Sequence, residues 1–445
     1  MFEQLYRLLT LQDGNTRVVL VGTCLLGIAA AVVGTFAVQR KRSLLGDAVA
    51  HAALPGICLA FFVVGDRNFA AFMLGALVMG VIAAAFIAFV KAATRVKEDA
   101  AIGLAIGGFF GLGIVLSRMI QNEPSGNRAG LDSFIFGKAA SMVAEDAKLI
   151  AIVAGVVIVA IAVLYKEFKV LCFDREFAAS QGWPTFWLDL VLMALVCICT
   201  VVGLPAVGVV LMVSLMVIPP VAARFWTNRL GTTVILAAAL GGFSGLAGTA
   251  LSASIPAPAS GLSRGWPTGP LITLVAAALF VVSMLVAPKR GIIAGLVRRQ
   301  LLQRRIARQN FLRRVYEALE PRLDLGATWT LSEIGVVDPL ARRANAAQTQ
   351  AACNEGLAVA SSNGYRLTES GQIAASRIVR VHRLWEIFLI TQADIAPDHV
   401  DRDADQIEHV LSPEVLASLE AKLAESGREP LGIPTSPHVI AKGLT

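Results

Sequence analysis

Asp47 and His51 stand four residues apart in GDAVAHAALPG (46–56), inside an otherwise apolar stretch. At helical spacing i and i+4 the two side chains share a face. A carboxylate and an imidazole converging on one point suit Mn2+, Fe2+ or Zn2+. The same pair can equally serve as an Asp–His hydrogen bond that holds two helices together. An ionisable side chain within a membrane span is costly and marks a functional site by default. Pro55-Gly56 is expected to break the helix soon afterwards and free backbone carbonyls, which is tolerated where backbone lines a cavity.

The elements that position this pair follow from composition. Of 445 residues, 56% are hydrophobic and only 16% charged, with a mean hydropathy of +0.67; a soluble chain carries about a quarter charged residues. The apolar character is confined to residues 1 to about 290, and the remainder alternates charged and apolar residues as soluble helices do. A bilayer core takes about 20 apolar residues in a helix. Candidate spans fall at 17–39, 44–65, 68–91, 100–118, 148–165, 186–203, 206–224, 231–255 and 269–287, the pair flanking Leu204-Pro205 being alternatively re-entrant. The segment 1–17 lacks the apolar core and small-residue cleavage site of a signal peptide, so the first apolar run is expected to remain as a span. Cys24, Cys58, Cys172, Cys197, Cys199 and Cys353 form no CxxC pair, and buried free thiols are expected.

Basic residues orient the spans. Arg40, Lys41 and Arg42 follow the first one, which puts the N-terminus outside. Alternation then assigns Lys91/Arg95/Lys97, Lys166/Lys169/Arg175, Arg224/Arg229 and Lys289/Arg290 to cytoplasmic loops, along with the soluble tail. Gly137-Lys138 has Asp132 where a phosphate-binding loop has glycine and Ala139 where it has Ser or Thr, so it is no such loop. If the chain takes part in active transport, the energy therefore comes from a partner chain or an ion gradient.

The run RKRSLLGDAVAHAALPG resembles the signature of the manganese/zinc/iron ABC transporter permease family (TroC/MntB/ZnuB-like). LDSFIFGKAAS (131–141), YKEFKVLCFDREFAASQGWP (165–184), VVGLPAVGVVLMVSLMVIPPVAAR (201–224) and PTGPLITLVAAALFVVSMLVAPKRG (267–291) agree in the same order. The resemblance implies a permease subunit rather than an enzyme, importing a divalent metal across the cytoplasmic membrane. Its implied partners are a separate ABC ATPase, an extracytoplasmic metal-binding protein and a second permease copy. Asp47 and His51 would contact the metal in the membrane, and Asp132 would line the outward mouth. Phe173, Asp174, Arg175, Glu176 and Gly182 would belong to the helix that couples to the ATPase; FDREFAASQG itself reads as a short amphipathic helix ended by glycine.

Residues 292–309 form a basic amphipathic linker helix suited to a lipid surface. Beyond it, helices at NFLRRVYEALE, TLSEIG and 338–355 precede a two-stranded wing in GLAVASSNGYRLTESG with Asn363-Gly364 at its turn, a winged-helix pattern over 310–370. Residues 371–445 resemble the metal-binding and dimerisation domain of the diphtheria-toxin-repressor/manganese-repressor family (DtxR/MntR). The resemblance places His382, Glu386, Asp401, Asp405, Glu408 and His409 on ligand positions. Asn310 and Arg313 depart from it where the family supplies further ligands, and Arg313 cannot ligate a cation.

The fold class that follows is an all-α polytopic membrane protein of about nine transmembrane helices, followed by a cytoplasmic winged-helix and helical metal-binding/dimerisation domain. The tail is expected to sense cytoplasmic metal and restrain transport. The competing expectation is a membrane-tethered or proteolytically released metal-dependent regulator that binds DNA through 338–355. Donors of the O/N type without cysteine favour Mn2+ or Fe2+ over Zn2+.

Overall fold

The computed structural model describes residues 14–65, 68–122, 142–254, 266–322, 324–334 and 339–392, with 414, 417 and 418. The chain divides into two compact units, Met1–Gly295 and Leu296–Thr445.

In the first unit the described residues form α1 (Gly14–Gln39), α2 (Leu45–Val64), α3 (Phe69–Ala93), α4 (Glu98–Gln121) and α5 (Ala144–Val163). Two shorter helices follow, α6 (Tyr165–Phe173) and α7 (Arg175–Ser180), and then α8 (Thr185–Val207), α9 (Val209–Trp226), α10 (Leu230–Ser254) and α11 (Thr268–Val286). All except α6 and α7 are long and apolar enough to cross a membrane, which gives nine candidate spans among the described residues. A helix satisfies its own backbone in hydrocarbon, and for that reason the apolar runs take this form. Asn68 starts α3 by accepting the Ala71 N–H at 3.2 Å, a side-chain cap at the water-facing end.

α1, α2 and α8 are the best covered of the nine, while α3, α4, α5 and α11 keep broad apolar faces outward. Apolar burial gives little drive between helices in lipid, so close backbone approach and polar contacts hold the inner ones together. Gly56 of α2 and Gly75 of α3 meet at such an approach: a Cβ on Gly56 would lie 2.3 Å from the Gly75 carbonyl oxygen, and the reverse is as tight at 2.4 Å. Thr23 of α1 and Thr249 of α10 share a buried hydroxyl hydrogen bond at 3.0 Å.

Pro55-Gly56 does not end α2. The helix continues to Val64 with Pro55 inside it, because Pro55 is buried beside Gly113 of α4 and packing on both flanks holds the backbone in register. The Leu204-Pro205 region is likewise continuous: α8 runs to Val207, and Gly208 at φ +81° turns the chain directly into α9.

Residues 296–319 of the 28-residue helix α12 (Ile292–Leu319) belong to the second unit and are followed by α13 (Pro339–Asn354), β1 (Ala358–Ser361), β2 (Gly364–Leu367) and α14 (Glu369–Gln392). Strands β1 and β2 pair antiparallel with Ser361 opposite Gly364. The wing therefore turns at Ser362-Asn363, one residue earlier than the Asn363-Gly364 expectation. Gly364 sits within β2 because Trp329 pairs with Tyr365 there, and a Cβ at 364 would lie 2.3 Å from the Trp329 carbonyl oxygen. Trp329, fully buried, packs edge-on against Phe311 of α12 and forms the centre of this unit's core.

Candidate metal pathway and its cytoplasmic linkage

Asp47 lies in the first turn of α2, and His51 follows one turn later on the same face. His51 Nε2 is 3.3 Å from Asp47 Oδ1, and the side chains are 29% and 26% exposed for Asp47 and His51. The pair is thus neither sealed in a dry helix contact nor fully open. The His51 ring stands edge-on to Phe110 of α4, with centroids 4.8 Å apart, which fixes the ring plane. Pro55 contributes indirectly. It has no N–H for the carbonyl four residues back, and that carbonyl belongs to His51. The His51 carbonyl thus lacks its usual helix hydrogen bond, while the carboxylate and imidazole converge one turn apart, two donor types that suit a borderline to hard divalent cation.

A second set of charges gathers where α1, α2, α3, α4 and α8 begin or end on one side of the unit. Asp189, in the first turns of α8, is buried. Its carboxylate oxygens accept from Arg40 Nη2 at 3.0 and 3.1 Å. Arg42 Nη1 and Arg175 Nη2 stand 3.6 Å from its two oxygens. Arg42 Nε donates to Glu98 at 2.5 Å, and Lys91 also pairs with Glu98. Sequence reasoning passed over Asp189. The signal was present, because a lone carboxylate in TFWLDLVLM is the kind of costly intramembrane charge that drew attention to Asp47.

The loop element takes the form the sequence suggested. Asp174 caps α7 by accepting the Phe177 N–H at 2.9 Å. Gly182, at φ +78°, closes it, with Gly182 N–H donating to Ala179 O and Trp183 N–H to Ala178 O, a glycine-terminated end. Phe173 and Phe177 are exposed, as are Arg175 and Glu176. Asp132 lies outside the described residues.

In the second unit His382 and Glu386, one turn apart on α14, are both buried, with His382 Nε2 3.2 Å from Glu386 Oε1. The cation beside them is Arg313 of α12: its Nη1 lies 2.8 Å from His382 Nδ1 and 3.1 Å from Nε2. A guanidinium donating to the imidazole lone pair occupies the electrons a metal would need. Among the described residues no three of His, Cys, Asp and Glu stand together as a metal group. The described part of this cluster therefore does not fit a bound divalent ion as it stands. Asp401, Asp405, Glu408 and His409 lie outside the described residues. Next to it, Arg383 binds Glu320 through two contacts, at 2.8 and 2.6 Å. Burial works against the Arg383 charge, but the Glu320 hydrogen bonds and charge outweigh it and raise its pKa.

A multi-pass helical permease is the class that this arrangement defines. Residues 12–287 match the ABC 3 transport family, and the chain belongs to it. Residues 368–436 match the iron dependent repressor, metal binding and dimerisation domain. The chain is 38% identical over 405 residues to the manganese transport system membrane protein MntC of Bacillus subtilis, covering 91% of this chain and 90% of that one. That similarity extends across both units. It is 40% identical over 288 residues to the zinc transport system membrane protein TroC of Treponema pallidum, covering 65% of this chain and 94% of that one. Among solved structures it resembles PsaBC from Streptococcus pneumoniae in complex with Fab, with a TM-score of 0.56 and 28% identity over 65% of this chain and 98% of that one.

Proposed function

We propose that the chain is the membrane-spanning subunit of an importer for a divalent transition metal, Mn2+ before Fe2+ or Zn2+. The observation that carries this reading is the half-exposed Asp47–His51 pair on α2, an O/N donor set without thiolate. MntC and TroC, by their names, belong to manganese and zinc transport systems, which supports a metal of this class.

Two donors from one chain leave a coordination sphere incomplete. Gly103, Gly107, Gly108 and Gly111 of α4, the helix that carries Phe110, meet nothing within 4 Å among the described residues. We assign that face to a second permease copy, which brings its own donors to the same passage. The exposed Phe173 and Phe177, with Arg175 and Glu176, suit docking to a separate ATPase subunit, and an extracytoplasmic metal-binding protein delivers the cargo. The charged cluster around Asp189 and Glu98 gathers the basic loops of one side together, which supports a cytoplasmic location for them, an outside N-terminus and a cytoplasmic tail.

We assign the second unit a regulatory role. Any regulatory metal there falls to Asp401, Asp405, Glu408 and His409, since Arg313 supplies the positive charge beside His382 and Glu386. A second reading, in which the wing and α13 read DNA as a tethered or released regulator, rests on the winged-helix arrangement alone. Uptake of Mn2+ by the complex reconstituted with its ATPase in liposomes tests the main reading: ATP-dependent accumulation is expected, and an ATPase-competent complex that moves none of the three metals overturns it.

A further inference from the structure

The charged cluster at the cytoplasmic side connects two elements that the proposed function treats separately: α7, where the ATPase docks, and α2, where the metal donors sit. Asp189 lies between them. Its Oδ1 faces Arg40 at 3.0 Å and Arg42 at 3.6 Å, and its Oδ2 faces Arg40 at 3.1 Å and Arg175 at 3.6 Å. Arg40 therefore holds the carboxylate in hydrogen bonds, while Arg42 and Arg175 stand beyond hydrogen-bond reach on opposite oxygens. Arg42 Nη1 is buried and has no hydrogen-bond partner among the described residues. A buried guanidinium N–H left in this way is an unsatisfied donor with an acceptor close by.

Arg42 is also joined by backbone hydrogen bonds to α1 and to the first residue of α2. Its N–H donates to the Ala37 carbonyl at 2.8 Å and its carbonyl accepts the Leu45 N–H at 3.1 Å. Displacement of Arg42 therefore carries the first turn of α2, where Asp47 lies. The surroundings leave room for such movement. Arg42, Lys91, Arg175 and Asp189 border a cavity of about 540 Å3, otherwise lined by side chains such as Ala88 and Leu190. Four cations (Arg40, Arg42, Lys91, Arg175) share two carboxylates (Asp189, Glu98). There are fewer acceptors than donors, and so partners can exchange without any carboxylate losing its charge neutralisation.

Resting on the reading of the chain as an ATPase-driven permease, we infer that Asp189 is the positioning residue through which movement of α7 reaches α2. When α7 shifts, Arg175 closes on Oδ2; Asp189 then redistributes its hold on Arg40 and Arg42, and the α1–α2 turn moves the Asp47–His51 face. The coupling is carried by one carboxylate that faces guanidinium groups from both the α1–α2 turn and α7.

The test is a double-mutant cycle on the complex with its ATPase in proteoliposomes, reading Mn2+ moved per ATP hydrolysed. Asp189→Asn is expected to leave assembly and ATP hydrolysis in place while that ratio falls on the order of tenfold. Arg175→Ala lowers it less, and the double variant is no worse than Asp189→Asn alone. Multiplicative losses in the double variant, or an unchanged ratio in Asp189→Asn, overturn the inference. If Asp189→Asn fails to assemble, Asp189→Glu, which keeps the charge and shifts it by one methylene, takes its place with the same expected pattern. A parent complex that hydrolyses ATP without moving metal refutes the proposed function instead, so the two failures are distinct.

Discussion

Arg313 donates to His382 in the interior of the second unit, its Nη1 2.8 Å from Nδ1, and Glu386 Oε1 lies 3.2 Å from Nε2 of the same ring. A buried carboxylate needs a positive partner, and removing one member of a buried charge cluster costs roughly 3–5 kcal/mol. Arg313→Met, similar in length but uncharged, is therefore expected to destabilise the second unit by about that amount, measured by urea unfolding followed through the buried Trp329. Arg313→Glu should do something different. It replaces the cation with a third donor beside His382 and Glu386, and Mn2+ is expected to protect this variant from limited proteolysis at concentrations that leave the parent unchanged. Equal Mn2+ protection of the parent, lost in His382→Ala, would show that the guanidinium yields to metal.

The α2 pair makes the sharpest demand on transport. Asp47→Ala and His51→Ala each remove half of the donors this chain contributes, and both should reduce Mn2+ uptake to background while the permease still inserts and binds its ATPase. Phe110→Ala tests positioning rather than ligation. The edge contact to His51 is worth about 0.5–1.5 kcal/mol, so uptake affinity should weaken by about two- to tenfold with the maximal rate retained. Normal uptake in both alanine variants of the pair would remove the pathway.

Removal of residues 310–445 separates the two units functionally. The first unit has its own core built from α1, α2 and α8, and so the truncated permease should fold and transport, with uptake no longer falling as cytoplasmic metal rises. Complete loss of transport at normal expression would make the second unit structural instead of regulatory.

Much of this was legible because hydrocarbon imposes its rules on sequence directly. Nine apolar runs became helices with ends within a few residues of those the hydropathy suggests, and Asp47 and His51 did fall on one face. Three features depended on three-dimensional partners and were not legible in their true roles. Pro55 reads as a helix breaker, yet it sits in a continuous helix because Gly113 of α4 makes room for it. Asp189 is an isolated acid in the sequence, and only folding brings Arg40 and Arg42 from the α1–α2 turn and Arg175 from α7 to it. Arg313 was visible as a poor ligand, but only the α12–α14 packing turns it into the cation of the His382–Glu386 cluster.

Pro55 gives the last prediction, one in which stability and activity should move in opposite directions. Proline inside a helix is unfavourable by about 3 kcal/mol against alanine in water, and part of that cost is the missing hydrogen bond to the carbonyl four residues earlier. Pro55→Ala restores an N–H aimed at the His51 carbonyl. If that oxygen serves only as spare backbone, the variant should be more resistant to heat and should transport normally. If it helps to hold the cation beside Asp47 and His51, the added hydrogen bond competes with metal. The expected outcome is a permease of higher thermal midpoint whose Mn2+ affinity in uptake falls by about tenfold, as for an interaction of ~1.4 kcal/mol. Thermal unfolding in detergent and concentration-dependent uptake on the same preparation separate the two cases. Unchanged affinity would return the carbonyl to an ordinary structural role and leave Asp47 and His51 as the only donors from α2.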